Sequence, residues 1–138
     1  MDLKLEGKVA LVTGTGSQIG FGKAIALTLA GEGCDIIGTD KDMEGAKLTA
    51  TEVKSLGCRT IALEADVTSS AQVNDMVKTA LEEFGGIDIL VNNAGGASPG
   101  KPFVDKTEED WDFDLNLNVR GVFNCTKAVL PHMIERRS

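Results

Sequence analysis

The chain has 138 residues, 42% of them apolar and 25% charged, with a net charge of -7. That length suits one domain with a real core. The negative balance disfavours a nucleic-acid backbone as partner, because such sites need clustered Lys and Arg.

In chain order, two periods alternate. Short apolar runs at 9–13, 34–39, 60–63 and 87–91 are rich in β-branched residues and bounded by Gly or charge. They are predicted to be parallel strands covered on both faces. A helical pattern over 20–32 carries Ile25 and Leu29 on one face and stops at Gly31 and Gly33. A second, over 43–56, starts after Asp42 and ends at Gly57. Ser69-x-x-Gln72 reads as a capping box, and the helix it opens ends at Gly85. Thr107-Glu-Glu-Asp110 opens a last long helix with acids in its first turn, and Pro131 is expected to kink it. Strands alternating with helices predict an α/β fold with a doubly wound parallel sheet.

Cys34, Cys58 and Cys125 are odd in number and form no C-x-x-C pair. Reduced, packed thiols are expected, and no metal site. No apolar run approaches ~18 residues, and the N-terminal MDLKLEGK has no apolar core behind its charges. A cytoplasmic protein with no membrane partner is expected.

The richest stretch is TGTGSQIGFGK, residues 13–23, between the first strand and its helix. Glycine loops in that context cradle phosphates. A Walker loop fits poorly, since Gly16 is one residue too far from Gly22-Lys23 and Ala24 replaces the hydroxyl that would hold magnesium. A G-x-G-x-x-G fingerprint also fails literally, because Ile19 stands at the third glycine. Yet Asp40 follows the second strand's run CDIIGT, 18 positions beyond Gly22, close to the ~20 expected of an acid that binds the adenosine ribose hydroxyls. An S-adenosylmethionine-dependent methyltransferase places glycines and an acid similarly, and these features alone leave it open.

Later motifs narrow the choice. Asp66-Val67 closes the third strand and Asn92-Asn93-Ala94-Gly95 the fourth; Asn118-Val119-Arg120-Gly121-Val122-Phe123 lies on the last helix. Together these residues resemble the short-chain dehydrogenase/reductase family, over nearly the whole chain. The resemblance implies a Rossmann-type sheet of order 3-2-1-4 and a dinucleotide-binding domain over 1–138 that stops before the family's fifth strand. It also implies an oxidoreductase acting on a secondary alcohol or ketone, a 3-oxoacyl-type carbonyl among the candidates. The full-length protein would be a homo-oligomer, a dimer or tetramer.

The family loop, T-G-x-x-x-G-x-G, matches Gly14 and Gly20-Phe21-Gly22, with five residues between Gly14 and Gly20, two more than usual. Gly14 is then expected to make the turn, Gly20 to admit the pyrophosphate and Gly22 to pack helix on sheet. Gly16 and Ser17 belong to the extended loop and complete, with Phe21, the expected phosphate-side contacts. Asp40, whose carboxylate would repel a 2′-phosphate, predicts NAD over NADP, as does Ile19 at a slot that is often basic; Lys41 points the other way. By the same resemblance Asp66 would bind the adenine amino group, with Val67 against the ring. Asn92, Ala94 and Gly95 would pass close to the ribose. Asn118 matches the asparagine that supports a proton relay, the one expected catalytic residue present, and Asn116 is expected to face solvent. The family's tyrosine is missing, as the chain contains none, so the chain alone is expected to be inactive. A non-catalytic nucleotide-binding or interaction module is the alternative.

Overall fold

Five consecutive buried residues, VALVT, form β1 (Val9–Thr13), the pattern of a strand enclosed on both faces. The computed structural model describes residues 1–137. β2 (Asp35–Asp40), β3 (Thr60–Glu64) and β4 (Ile89–Val91) join β1 in one sheet of order β3-β2-β1-β4, every pair parallel. This is the predicted doubly wound arrangement.

Three helices connect the strands: α1 (Phe21–Gly31), α2 (Met43–Ser55) and α3 (Ser70–Phe84). Their ends follow local chemistry. Asp42 caps α2 by accepting the Gly45 N–H, and α3 stops at Gly85, whose φ of 75° suits a residue without Cβ. Side chains alternate across β1, so Leu11 faces α3 and the last helix while Ala10 faces α1 and α2. The first core holds Leu11, Ile37, Val73, Val77 and Val129. The second is built from smaller residues, Ala10, Ala26 and Ala30 with Ile36 and Val53, which brings α1 close to the sheet. No helix among the described residues is long and apolar enough to cross a membrane.

Three expectations change. β4 begins at Ile89 rather than residue 87, because the Asp88 carboxylate itself takes the Val9 N–H at 2.8 Å. The Ser69–Gln72 capping box is only half made. Ser69 accepts the Gln72 N–H, but the Gln72 side-chain Oε1 accepts the Asp66 N–H instead of returning to the Ser69 N–H. A complete box stands at Thr107 and Asp110.

The last helix is not one α-helix. α4 (Glu108–Leu115) passes through a π-helical turn, Asn116–Arg120, into α5 (Gly121–Arg136), and α5 stays helical through Pro131. The ladder is rewired at Asn118, whose side-chain amide donates to the Asp114 carbonyl at 2.8 Å, while the Gly121 N–H reaches back to Asn116. A side chain inserted into the ladder changes its register here, and the proline, by removing one donor, does not. The apolar side chains of α5 also divide between two faces. Cys125 and Val129 are buried on the sheet, while Phe123, Leu130 and Ile134 face outward.

Helix α1 meets the first turn with no room to spare. A Cβ at Gly22 would overlap the Gly14 carbonyl, whereas at Gly31 it would meet nothing within 4 Å. Gly22→Ala should therefore cost at least ~2 kcal/mol, since the obstacle is backbone. Gly31→Ala should stabilise by ~0.5–1 kcal/mol through helix propensity. Urea unfolding of the two variants checks both signs.

Candidate functional site

The strand order reverses between β1 and β4, and in such sheets a crevice opens at the carboxyl ends of the strands. Here it is a cleft of about 630 Å³. Its floor is tied by one hydroxyl: Thr13 Oγ1 accepts the Asn93 and Ala94 N–H groups at 3.0 and 2.9 Å. In return the Asn93 amide donates to the Thr13 and Gly14 carbonyls. Gly14, at φ 75°, must be glycine, because a Cβ would lie 2.7 Å from that same amide nitrogen.

The long loop after Gly14 is pinned rather than loose. Gln18 Nε2 donates to the Gly16 carbonyl at 3.0 Å and the Gly45 carbonyl at 2.9 Å, plugging the loop onto α2. Thr15 is fully buried, its carbonyl accepting the Thr49 hydroxyl at 2.7 Å. The extra residues therefore lie before α1, with Gly20 as its N-cap. Gly20 contributes no side-chain cap, so the first-turn N–H groups of α1 have no side-chain acceptor there.

Asp40 stands at the end of β2 with both oxygens engaged by backbone: Oδ2 accepts the Gly16 N–H at 2.8 Å and Oδ1 the Asp42 N–H at 2.9 Å. Gly16 is more than a spacer in the loop. A Cβ there would sit 2.7 Å from the Asp40 carboxyl carbon, so the glycine and the acid are placed together.

Asp66 is not the cap of α3, a role Ser69 takes. Its Oδ1 accepts both the Thr68 hydroxyl, at 2.7 Å, and the Thr68 N–H, at 2.9 Å. The hydroxyl bond, then the backbone bond, hold its carboxyl below the ordinary aspartate value, with Lys41 adding a smaller pull against burial. Val67 lines the cleft with only an edge, being 6% exposed. α5 fixes it twice, since a Cβ on Gly121 would press its Cγ2 at 2.7 Å and Asn124 donates to its carbonyl at 2.8 Å.

Of the residues expected here, the cleft wall gathers Gly14, Ser17, Gly20, Phe21, Asp40, Asp66, Val67, Ala94 and Gly95. Gly16, Gly22, Asn92 and Asn118 stand behind it. Asn92 donates to the Thr126 hydroxyl at 3.1 Å, tying β4 to α5. Asn118 clasps Gly96, its Oδ1 accepting that N–H at 3.1 Å and its Nδ2 donating to that carbonyl at 2.7 Å.

Asn116 is exposed, as expected, and it lines the open cleft together with Phe113, Leu117 and Arg120. The i, i+3, i+4, i+7 spacing of these four marks one helical face and was the signal available for them. Gln18 carried no such signal, because its partners on α2 are remote in sequence. Beside the cleft, Lys106 donates to the Ser98 hydroxyl at 2.8 Å and to Asp114 at 3.2 Å, clipping the loop after β4 to α4. The Ser98 N–H bond, chiefly, holds the Asp114 carboxyl below its usual range.

The Asp66 contacts make a prediction with a sign. Its folded value is depressed, so it stabilises the protein above the unfolded value of ~3.9, and that contribution is lost as pH falls through the folded value. Thr68→Val removes the larger cause and should move the Asp66 titration upward in a carboxyl-carbon NMR experiment. An unmoved midpoint would show that the Thr68 hydroxyl does not govern this acid.

Comparison with known proteins agrees with this geometry. The family model described as short chain dehydrogenase matches residues 8–138. Oxidoreductase UcpA of Salmonella typhimurium is 48% identical over 97% of this chain and 49% of its own length. The 3-oxoacyl-(acyl-carrier-protein) reductase FabG of Thermotoga maritima is 39% identical over 99% of this chain and 54% of its own. Among solved structures, NAD+-bound xylitol dehydrogenase superposes with a TM-score of 0.90 at 38% identity, covering 96% of this chain and 50% of that one. The chain thus spans about half the length of the curated relatives it matches. From the glycine turn to the asparagine knot at the switch point, it belongs to the short-chain dehydrogenase/reductase family.

Proposed function

We propose that this chain is the NAD(H)-binding portion, residues 1–138, of an oxidoreductase that interconverts a secondary alcohol and a ketone. The observation that carries this reading is Asp40. Its carboxylate is oriented by two backbone N–H groups at the mouth of the cleft, across the loop from the uncapped start of α1. An acid there suits two ribose hydroxyls, and a helix N-terminus suits a pyrophosphate.

The residues present fit that group. Gly20 and Phe21 would face the phosphates with Ser17 beside them, Asp40 the adenosine ribose, and Asp66 with Val67 the adenine. Ala94 and Gly95 would face the nicotinamide side, backed by Asn92. Gly16 and Gly22 act indirectly, by placing Asp40 and α1. When bound, the nicotinamide supplies hydride acceptance or donation. Asn118 serves the reaction by holding Gly96 and the turn of helix beside it, and completes a proton relay with groups the described residues do not include. The NAD+-bound state of the xylitol dehydrogenase structure supports the choice of cofactor. The FabG relative supports a 3-oxoacyl-type carbonyl as a substrate class. The protein works in the cytoplasm, in keeping with three free thiols.

Fluorescence titration of the 138-residue chain should show tighter binding of NADH than of NADPH. Asp40→Ser should narrow that difference by on the order of 1–3 kcal/mol, as a charge-assisted hydrogen bond and a repulsion are lost together. Equal or tighter NADPH binding by the unmutated chain would refute the preference. The same sample should turn over no alcohol or ketone, since the chain contains no tyrosine.

We further infer that the full-length protein is a homo-oligomer. Phe123 and Ile134 are 67% and 70% exposed on α5, with Leu130 beside them, and such a row on one helix face favours association. Sedimentation of the 138-residue chain should show species larger than a monomer. A Phe123→Lys, Ile134→Lys double variant should shift them toward the monomer.

A further inference from the structure

Two of the three cysteines precede neighbouring strands and meet the same core. β2 and β3 pair in register with Ile36 opposite Thr60, and the Ile36 N–H donates to the Arg59 carbonyl at 3.0 Å. Two residues back along each chain, on the same face, stand Cys34 and Cys58. Between them Asp35 and Arg59 also meet, the Arg59 N–H donating to the Asp35 carboxylate at 2.9 Å. Paired strands lie about 4.8 Å apart, within the ~4.4–6.8 Å of Cα separation that a disulfide spans; the ladder stops at Ile36–Thr60, where the Cys34 N–H turns to the Leu29 carbonyl at 3.0 Å.

Both thiols enter the same small-residue core. Cys34 is a fully buried member of it and Cys58 packs against it. Their sulfurs donate to two carbonyls of the same layer, Cys34 to Leu5 at 3.4 Å and Cys58 to Ala30 at 3.2 Å. Burial raises the pKa of both thiols, and on Cys34 the charge of Cys58 is the next influence, as adjacency requires. Cys58 alone reaches the surface, lining a depression of about 540 Å³ with Gly57, Lys54 and Phe84. Cys125 lies apart in the opposite core, its pKa pushed up to about 11 by burial.

We propose that Cys34 and Cys58 are a reversible redox pair that closes to a disulfide under a peroxide oxidant. Hydrogen peroxide oxidises the Cys58 sulfur to a sulfenic acid with release of one water. The Cys34 sulfur then attacks it, forming the S–S bond and releasing a second water. The two thiols lose two electrons and two protons, and the peroxide is reduced to two waters. Buried thiols of raised pKa react slowly, so the pair responds to sustained exposure. The bond closes at the amino ends of β2 and β3, remote from the cleft, and ties off the segment that carries Asp40 and Gly45. A thiol reductant reopens it.

The test is non-reducing peptide mass spectrometry of the 138-residue chain after hydrogen peroxide, under native conditions and in 6 M guanidinium. Native protein should show a Cys34–Cys58 linked peptide lighter by two hydrogens, reversed by dithiothreitol, with Cys125 still open to alkylation on denaturation. Its ratio to links involving Cys125 should rise at least tenfold between denatured and native samples, which removes the advantage of a shorter loop. Cys58→Ser, an isosteric change at a partly exposed position, should abolish the linked peptide while the far-UV spectrum is kept. A native sample that gives no Cys34–Cys58 link, or gives it in the denatured ratio, overturns the proposal.

Discussion

The architecture turns on a single hydroxyl. Thr13 Oγ1 receives two N–H groups from the end of β4, and Asn93 returns its amide to the end of β1. At this place the two strands part, one chain leaving toward α1 and the other toward α4. A parallel sheet offers no ladder bond beyond the last residue of each strand, so the separating backbones must be satisfied by side chains. Thr and Asn meet that demand with short arms, which keeps the crevice floor both closed and thin. Gly14 and Gly22 follow as consequences, because the amide that ties the knot occupies the space where their side chains would be.

The electrostatics of the cleft divide by position. Acids stand at the ends of β2 and β3, each with its carboxylate held by neighbouring N–H or hydroxyl donors rather than by a cation. The side of the cleft at Ser17, Gly20 and Phe21 has no carboxylate among these liners and ends in a helix without a side-chain cap. Lys41 and Arg120 lie on the wall as well. An anionic group therefore has one welcoming end of the cleft, and hydroxyl-bearing groups have the other.

Much of this was legible in the sequence because it depends on local patterns. Buried β-branched runs announced the strands, and the acid at position 40 followed from its distance beyond the glycines. What was not legible involves partners far apart in the chain. Ser69 and Gln72 have the spacing of a capping box, but Gln72 has a better offer from the Asp66 N–H, which only the folded turn brings near. Pro131 is the conspicuous helix breaker, yet the irregularity falls at Asn118. There one amide meets both its own helix and the backbone of Gly96.

The plug made by Gln18 bears on how such a fold varies over time. Because one side chain ties the loop to itself at Gly16 and to α2 at Gly45, the loop between Gly14 and Gly20 holds its place by a single amide, and the start of α1 stays where the turn requires it. The segment behaves as a removable cassette. Its length is free to drift through insertion or deletion wherever one residue preserves the anchoring amide, whereas the glycines at its two ends are not free to change. Divergence among proteins built this way should accordingly show as differences in loop length more often than as changes in the position of the helix.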